Sequence, residues 1–173
     1  MNTYLKMAMY TDKIAQGFSL LELLFVISVI GVLSAIGLHG WQTIQQRAQL
    51  SSATMQLLAF IKEVQDDANW RNQTNTLHLF IGSKFTPWCL AVTEESRPVS
   101  CDTRLRFIQP DPSVEITGFT EISTLAFYGK REMAQTGTIR LENSLGQTRV
   151  IVSTRGRIRY CAYNFYLSGF PKC

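Results

Sequence analysis

Residues 17–38 read GFSLLELLFVISVIGVLSAIGL, a membrane-length apolar run with an acid, Glu22, almost at its start. From Phe18 to Leu38 only Ser19, Glu22, Ser28, Ser34 and glycine interrupt the apolar character. A helix of that length rises about 30 Å, the thickness of a bilayer's hydrocarbon core. A carboxylate inside hydrocarbon costs about 2.5–3.5 kcal/mol on insertion scales, so an acid here needs a partner. The run contains no second titratable group to supply one. A secretory signal peptide would have a shorter apolar core followed by a small-x-small cleavage site, and Leu33-Ser34-Ala35 lacks the first small residue. A plain membrane anchor accounts for the length and for Lys6 and Lys13 before it, but leaves Glu22 unexplained.

Beyond the run the helical pattern continues, with no proline between Phe18 and Thr86. Trp41, Ile44 and Ala48, then Met55, Leu58 and Ile61, and Leu57, Val64 and Ala68 recur at steps of three and four. Gln45, Gln46, Arg47, Gln49, Lys62, Glu63, Gln65 and Asp66 fill the remainder, so the second half reads as an amphipathic helix laying its apolar stripe on a domain. Asn72, Thr74, Asn75 and Thr76 favour a turn at its end. From there the period changes to two. Strands are expected over residues 76–81, 88–93, 105–109, 114–117, 124–128, 137–142, 147–153 and 157–161, with a hairpin turn at Asn143-Ser144-Leu145-Gly146. One helix followed by many short antiparallel strands predicts an α+β fold in which a sheet covers the amphipathic half-helix.

The chain has 173 residues, which leaves about 135 beyond the apolar run, enough for one domain with a real core. Its net charge of +4 is uneven. Residues 18–129 carry seven basic and ten acidic groups, whereas residues 130–173 carry eight basic and two acidic ones. Cys89, Cys101, Cys161 and Cys173 allow three disulfide connectivities. The sequence-local pairs Cys89–Cys101 and Cys161–Cys173 each close a loop of about 13 residues, worth roughly 3 kcal/mol in the chain-entropy model. A four-thiolate zinc site competes with that reading, but the C-x2-C spacing of structural zinc sites is absent.

No enzyme is expected. His39 and His78 have no ligand or triad companion at meaningful spacing, and no phosphate loop or dinucleotide fingerprint occurs. Asp66 and Asp67 are adjacent on a helix and diverge by about 100°. No cofactor, metal or small-molecule substrate is implied. The basic end suggests binding instead: Arg149, Arg155, Arg157 and Arg159 lie close to Tyr160, Tyr163, Phe165 and Tyr166. Guanidinium groups can neutralise phosphates and aromatic rings can stack bases. In strand geometry Arg157 and Arg159 share a face about 7 Å apart, near the spacing of successive phosphates. A solvated strand of a mildly basic domain explains the same residues.

The Gly-Phe-x-x-x-Glu pattern before the apolar run resembles the signal of type IV prepilins and pseudopilins. The resemblance implies cleavage after Gly17 by prepilin peptidase and N-methylation of the new terminal residue, Phe18. It also implies that Glu22 pairs with the amino terminus of a neighbouring subunit during filament assembly. Such an ammonium would neutralise a carboxylate buried in a helical bundle, and removing either partner would strand the other. Filament-forming members commonly carry a proline late in the segment; this chain has His39 there, between Gly37 and Gly40. Further blocks, Asp67-Ala68-Asn69-Trp70, Trp88-Cys89-Leu90, Leu125-Ala126-Phe127-Tyr128-Gly129, Asn143-Ser144-Leu145-Gly146 and Val152-Ser153-Thr154-Arg155-Gly156-Arg157-Ile158-Arg159, look like minor pilins of the prepilin-peptidase-dependent protein A type. That type falls in the GspH/FimT group.

The organisation this implies is a leader over 1–17, a transmembrane and filament-core helix over 18–38, an amphipathic helix over 39–72 and a β-rich periplasmic domain over 73–173. The partners would be other minor and major pilins, prepilin peptidase and the bacterial inner membrane. Three roles stand open: a minor pilin initiating a type IV pilus near its tip, a DNA-binding minor pilin for natural transformation, and a minor pseudopilin of a type II secretion system. The DNA reading rests on Gly156-Arg157-Ile158-Arg159, which matches a G-R-x-R pattern thought to serve DNA capture in FimT-like minor pilins.

Overall fold

A 52-residue helix, α1 (Leu20–Arg71), is the first element of the computed structural model. The structure describes residues 19–82, 86–93, 101–120, 124–130 and 133–173, with the side chains of residues 35–39 excepted. The chain forms two compact units, one up to Gly40 and one from Trp41 to Cys173.

In the first unit α1 begins with a Leu23 N–H bonded to the Ser19 carbonyl, 3.1 Å away. Its serines turn their hydroxyls back on the helix: Ser28 donates to the Phe25 carbonyl at 2.7 Å and Ser34 to the Ile30 carbonyl at 2.8 Å. Hydroxyls satisfied this way ask nothing of the surroundings, so the helix presents apolar surface on every side apart from Glu22. Leu20, Leu24, Phe25, Ile27 and Ile30 are all more than half exposed. Among the described residues no helix is long and apolar enough to cross a membrane. Within the apolar run, side chains are described for residues 19–34.

In the second unit α1 buries Leu50, Ala53, Leu57, Ile61, Val64 and Ala68, spaced by three and four, on one face. Of the expected positions Leu57, Ile61, Val64 and Ala68 lie on this face, while Trp41, Ile44, Ala48 and Met55 are corrected. Trp41 and Ile44 are 68% and 64% exposed, and Ala48 and Met55 are exposed with them. At about 100° per residue, these four lie opposite the buried row. The sequence carries two apolar stripes, and periodicity does not say which of them meets the domain. The helix stops at Arg71, where Asn72 adopts φ 52° and the Gln73 N–H bonds back to the Ala68 carbonyl at 3.1 Å. A left-handed residue closing a helix in this way is an established use of asparagine.

Among the described residues nine strands follow, all antiparallel, in two sheets where the sequence suggested one. They are β1 (Thr74–Phe80), β2 (Cys89–Thr93), β3 (Arg106–Ile108), β4 (Glu115–Phe119), β5 (Thr124–Tyr128), β6 (Met133–Ala134), β7 (Gly137–Asn143), β8 (Gly146–Val152) and β9 (Ile158–Tyr163). Sheet A has the order β3-β2-β1-β5-β6 and sheet B the order β4-β7-β8-β9. The division is set by long-range pairing: β1 takes β5 as its second neighbour, with Leu77 opposite Leu125, while β4 leaves for β7, with Phe119 opposite Ile139. The β7–β8 hairpin closes at Asn143 opposite Gly146, where the Asn143 side chain accepts the Leu145 N–H at 3.0 Å.

One core joins the helix to both sheets. Leu57, Ile61 and Val64 meet Leu77, Leu90 and Phe127 of sheet A and Ile139, Leu141 and Val150 of sheet B. Each such side chain contributes about 1.5–3 kcal/mol on burial. The buried polar groups are paired as well. Thr54 donates to the Leu50 carbonyl at 2.7 Å, leaving its oxygen to the Thr148 hydroxyl of β8, also at 2.7 Å. The cysteines are joined as Cys89–Cys101 and Cys161–Cys173, with Cα separations of 6.3 and 5.0 Å. The second bond holds residues 171–173 beside β9, where Ala162 exchanges backbone bonds with Pro171 and Cys173 at 2.8 and 3.0 Å.

Candidate functional site

Glu22 stands in the first turn of α1, exposed. A carboxylate there is favoured by the unpaired N–H groups and the positive end of the helix dipole. Among the described residues it enters none of the ion pairs. Gly17 and Phe18, the expected cleavage point and new amino terminus, lie outside the described residues, as does the side chain of His39.

The arginines gather around the turn from β8 to β9. Gly156 takes φ 68°, a left-handed conformation that costs other residues about 1–2 kcal/mol. Its N–H donates to the Ser153 carbonyl at 2.9 Å, and the Ser153 N–H and hydroxyl both donate to the Arg157 carbonyl, at 3.1 and 3.2 Å. Two further elements hold the turn from outside. The Gln65 side chain of α1 donates to the Gly156 carbonyl at 2.9 Å. Residues 134 and 136 bond Thr154, through the Ala134 N–H at 3.1 Å and the Thr136 hydroxyl at 2.9 Å. Arg155 and Arg157 thus project, exposed, from a pinned loop, and Arg159 is exposed on β9. Arg157 precedes the strand, so the expected strand spacing of Arg157 and Arg159 is corrected to one residue in the turn and one in β9.

Arg149 lies elsewhere on the same sheet. It is opposite Cys161 on β9 and opposite Arg140 on β7. Its guanidinium carbon sits 3.5 Å from the centroid of the Tyr163 ring, and its Nε donates to Gln147 at 3.1 Å. That contact is worth about 0.5–1 kcal/mol at an exposed site and fixes the direction of the charge. Among the described residues the ion pairs join Asp67 to Arg71 and Arg104, and Asp102 to Arg106, so Arg149, Arg155, Arg157 and Arg159 enter none.

The sequence assigns neither Arg140 nor Gln65 to a site. Arg140 was readable as a polar position on the alternating strand Thr138-Ile139-Arg140-Leu141-Glu142. Its side chain lies over Gly118 of β4, where a Cβ would collide with it. Gln65 has no sequence signal, because its partner is 91 residues away.

Away from the arginine turn, Asp67 organises the end of α1. Burial, which leaves its side chain 14% exposed, pushes its carboxyl up. Hydrogen bonds from Arg104 at 2.8 Å, Asn75 at 2.9 Å and Arg71 at 3.0 Å outweigh burial and hold its pKa below the ordinary carboxylate value. Asn75 itself is buried and also donates to the Val64 carbonyl at 3.2 Å. Among the described residues no cluster of His, Cys, Asp and Glu is suited to a metal.

Residues 12–38 match the prokaryotic N-terminal methylation motif. The chain thus carries the signature of type IV prepilin-like proteins, the class of pilins and pseudopilins, and it sets that signature on an α+β architecture of one N-terminal helix and antiparallel sheets. The match places Glu22 inside the motif and implies an N-terminus anchored at the inner membrane. No curated protein and no solved structure matches the chain.

Proposed function

We propose that this chain is a minor pilin of a type IV pilus, of the GspH/FimT group, which helps other minor pilins initiate the filament and sits near its tip. The observation that carries the reading is the methylation motif over residues 12–38 with its acid, Glu22, exposed in the first turn of an apolar helix. Prepilin peptidase cuts after Gly17, Phe18 becomes the methylated terminus, and the helix over 18–38 spans the inner membrane with the β-rich domain in the periplasm. On assembly the Glu22 carboxylate takes the terminal ammonium of a neighbouring subunit, which removes the cost of leaving either charge alone in an apolar bundle. N-terminal sequencing of the mature protein tests the processing: a start at methylated Phe18 is expected, and a start at Met1 overturns it. Glu22→Ala should leave insertion and cleavage intact while impairing incorporation into pili. Deletion should deplete surface pili and leave type II secretion unchanged, which separates this role from that of a pseudopilin.

A second role, DNA binding, is favoured by Arg155, Arg157 and Arg159, which are exposed, held on a pinned turn, and in no ion pair among the described residues. Its test is a gel shift at two salt concentrations. Neutralising phosphates releases counterions, so binding should weaken steeply with salt. Binding unchanged in Arg157→Ala/Arg159→Ala would remove this role.

A further inference from the structure

The arginine turn leads along β9 toward an aromatic cavity. Ile158 and Tyr160 pack against the core and Ala162 is buried, so Arg159 and Tyr163 point to the opposite face of β9, with Cys161 between them buried and bonded to Cys173. Arg159 is diagonal to Arg149 across the β8–β9 pair, about 7–8 Å away, and Arg149 lies against Tyr163. From Arg159 to Tyr163 the strand advances about 13 Å. At that end lies a cavity of about 510 Å³, lined in part by Tyr163, Phe165, Tyr166 and Lys172. Phe165 is wedged over Gly146, where its ring fills the space a Cβ would take. It anchors the segment and leaves Tyr166 outside, 71% exposed. Tyr163 is 39% exposed, with Arg149 against its ring.

Cations at one end and exposed ring faces at the other distinguish two forms of nucleic acid. Phosphates are available on both duplex and single strands. Base faces are available for stacking only where bases are unpaired, and stacking on aromatic rings and guanidinium planes is how single strands are held. Tyr166 and the Tyr163–Arg149 stack are therefore redundant for a duplex and useful for a single strand. A tyrosine left 71% exposed buries little apolar surface in the fold.

We propose that Arg159, Arg149, Tyr163 and Tyr166 form one track that takes single-stranded DNA, with phosphates on the arginines and bases stacked at the Tyr166 cavity. This rests on the DNA-binding role above and names its preferred ligand. The test uses the full chain in detergent, with an oligothymidylate and a duplex of equal length, followed by fluorescence anisotropy at low and moderate salt. The single strand should bind more tightly. Tyr166→Ala should weaken it about 5- to 150-fold, as removing one stacking platform does elsewhere. The same variant should leave duplex binding within about two-fold, and Tyr166→Phe, which keeps the ring, should restore single-strand affinity. Equal binding of both forms, or an unchanged single-strand affinity in Tyr166→Ala, overturns the track while leaving the arginine turn in place. Absence of binding to either form at low salt removes the DNA-binding role itself.

Discussion

Gln65, near the end of the long helix, donates its side-chain N–H to the carbonyl of Gly156 at 2.9 Å, so the element at the start of the chain holds the turn that presents Arg155 and Arg157. Two substitutions separate the parts of this arrangement. Gly156→Ala forces a left-handed alanine and should lower stability by about 1–2 kcal/mol, read as a shifted urea midpoint with an unchanged slope. Gln65→Ala removes one hydrogen bond and should cost only about 0.5–1.5 kcal/mol. A Gly156→Ala protein as stable as the parent would show that the turn tolerates ordinary backbone geometry.

The two stripes of α1 predict opposite mutational sensitivities. Leu57, fully buried, should cost about 2–5 kcal/mol when cut to alanine. Ile44, 64% exposed, should cost less than about 0.5 kcal/mol in the isolated chain. Thermal unfolding of the two variants side by side checks the assignment, and a large loss at Ile44 would place the helix the other way round.

Thr54 and Thr148 form a buried hydroxyl pair that a double-mutant cycle can resolve. Thr54→Val strands the Thr148 hydroxyl and should destabilise by about 1–3 kcal/mol, Thr148→Val leaves Thr54 its bond to the Leu50 carbonyl and should cost less, and the double variant, apolar on both sides, should recover most of the Thr54→Val loss. Strict additivity of the single effects would mean that the two hydroxyls do not depend on one another.

Asp67 gives the domain an acid limit. Its native pKa lies below the ordinary carboxylate value near 4, so its contribution is complete above about pH 5 and disappears as pH falls through the ordinary value and then the lower native one. Asp67→Asn should therefore cost about 1–2 kcal/mol at neutral pH and almost nothing in strong acid. Denaturation midpoints between pH 2 and 7 (about five points suffice) should show a shallower acid slope for the variant. Parallel curves would indicate that the charge on Asp67 is immaterial.

Local chemistry was legible in the sequence. The strand Thr124–Tyr128 and the hairpin at Asn143–Gly146 follow from alternation and turn residues, and most other strand ends differ from expectation by one or two residues. β6 escaped notice because two residues cannot display a period. The partition into two sheets depends on β1 choosing β5 and β4 choosing β7, pairings decided by the packed core and not by any single segment. For the site, the motif around Glu22 and the run of arginines could be read directly. The restraints on the turn could not, since Gln65 and Gly156 meet only after the whole domain has closed.

The edges of the two sheets set a rule for how this domain meets other chains. β3 and β6, the borders of sheet A, are three and two residues long. In sheet B, β4 is broken by an irregularity between Ile116 and Gly118, and β9 is occupied at Ala162 by the strap that Cys161–Cys173 holds in place. Short, bulged or covered borders offer little continuous backbone to an incoming strand. Among the described residues all four borders therefore offer little to sheet extension, the route to uncontrolled fibres. On the β9 side that cover is tied to an oxidising compartment: a chain whose cysteines stay reduced has no covalent hold on its strap, which then rests on its backbone bonds to Ala162 alone.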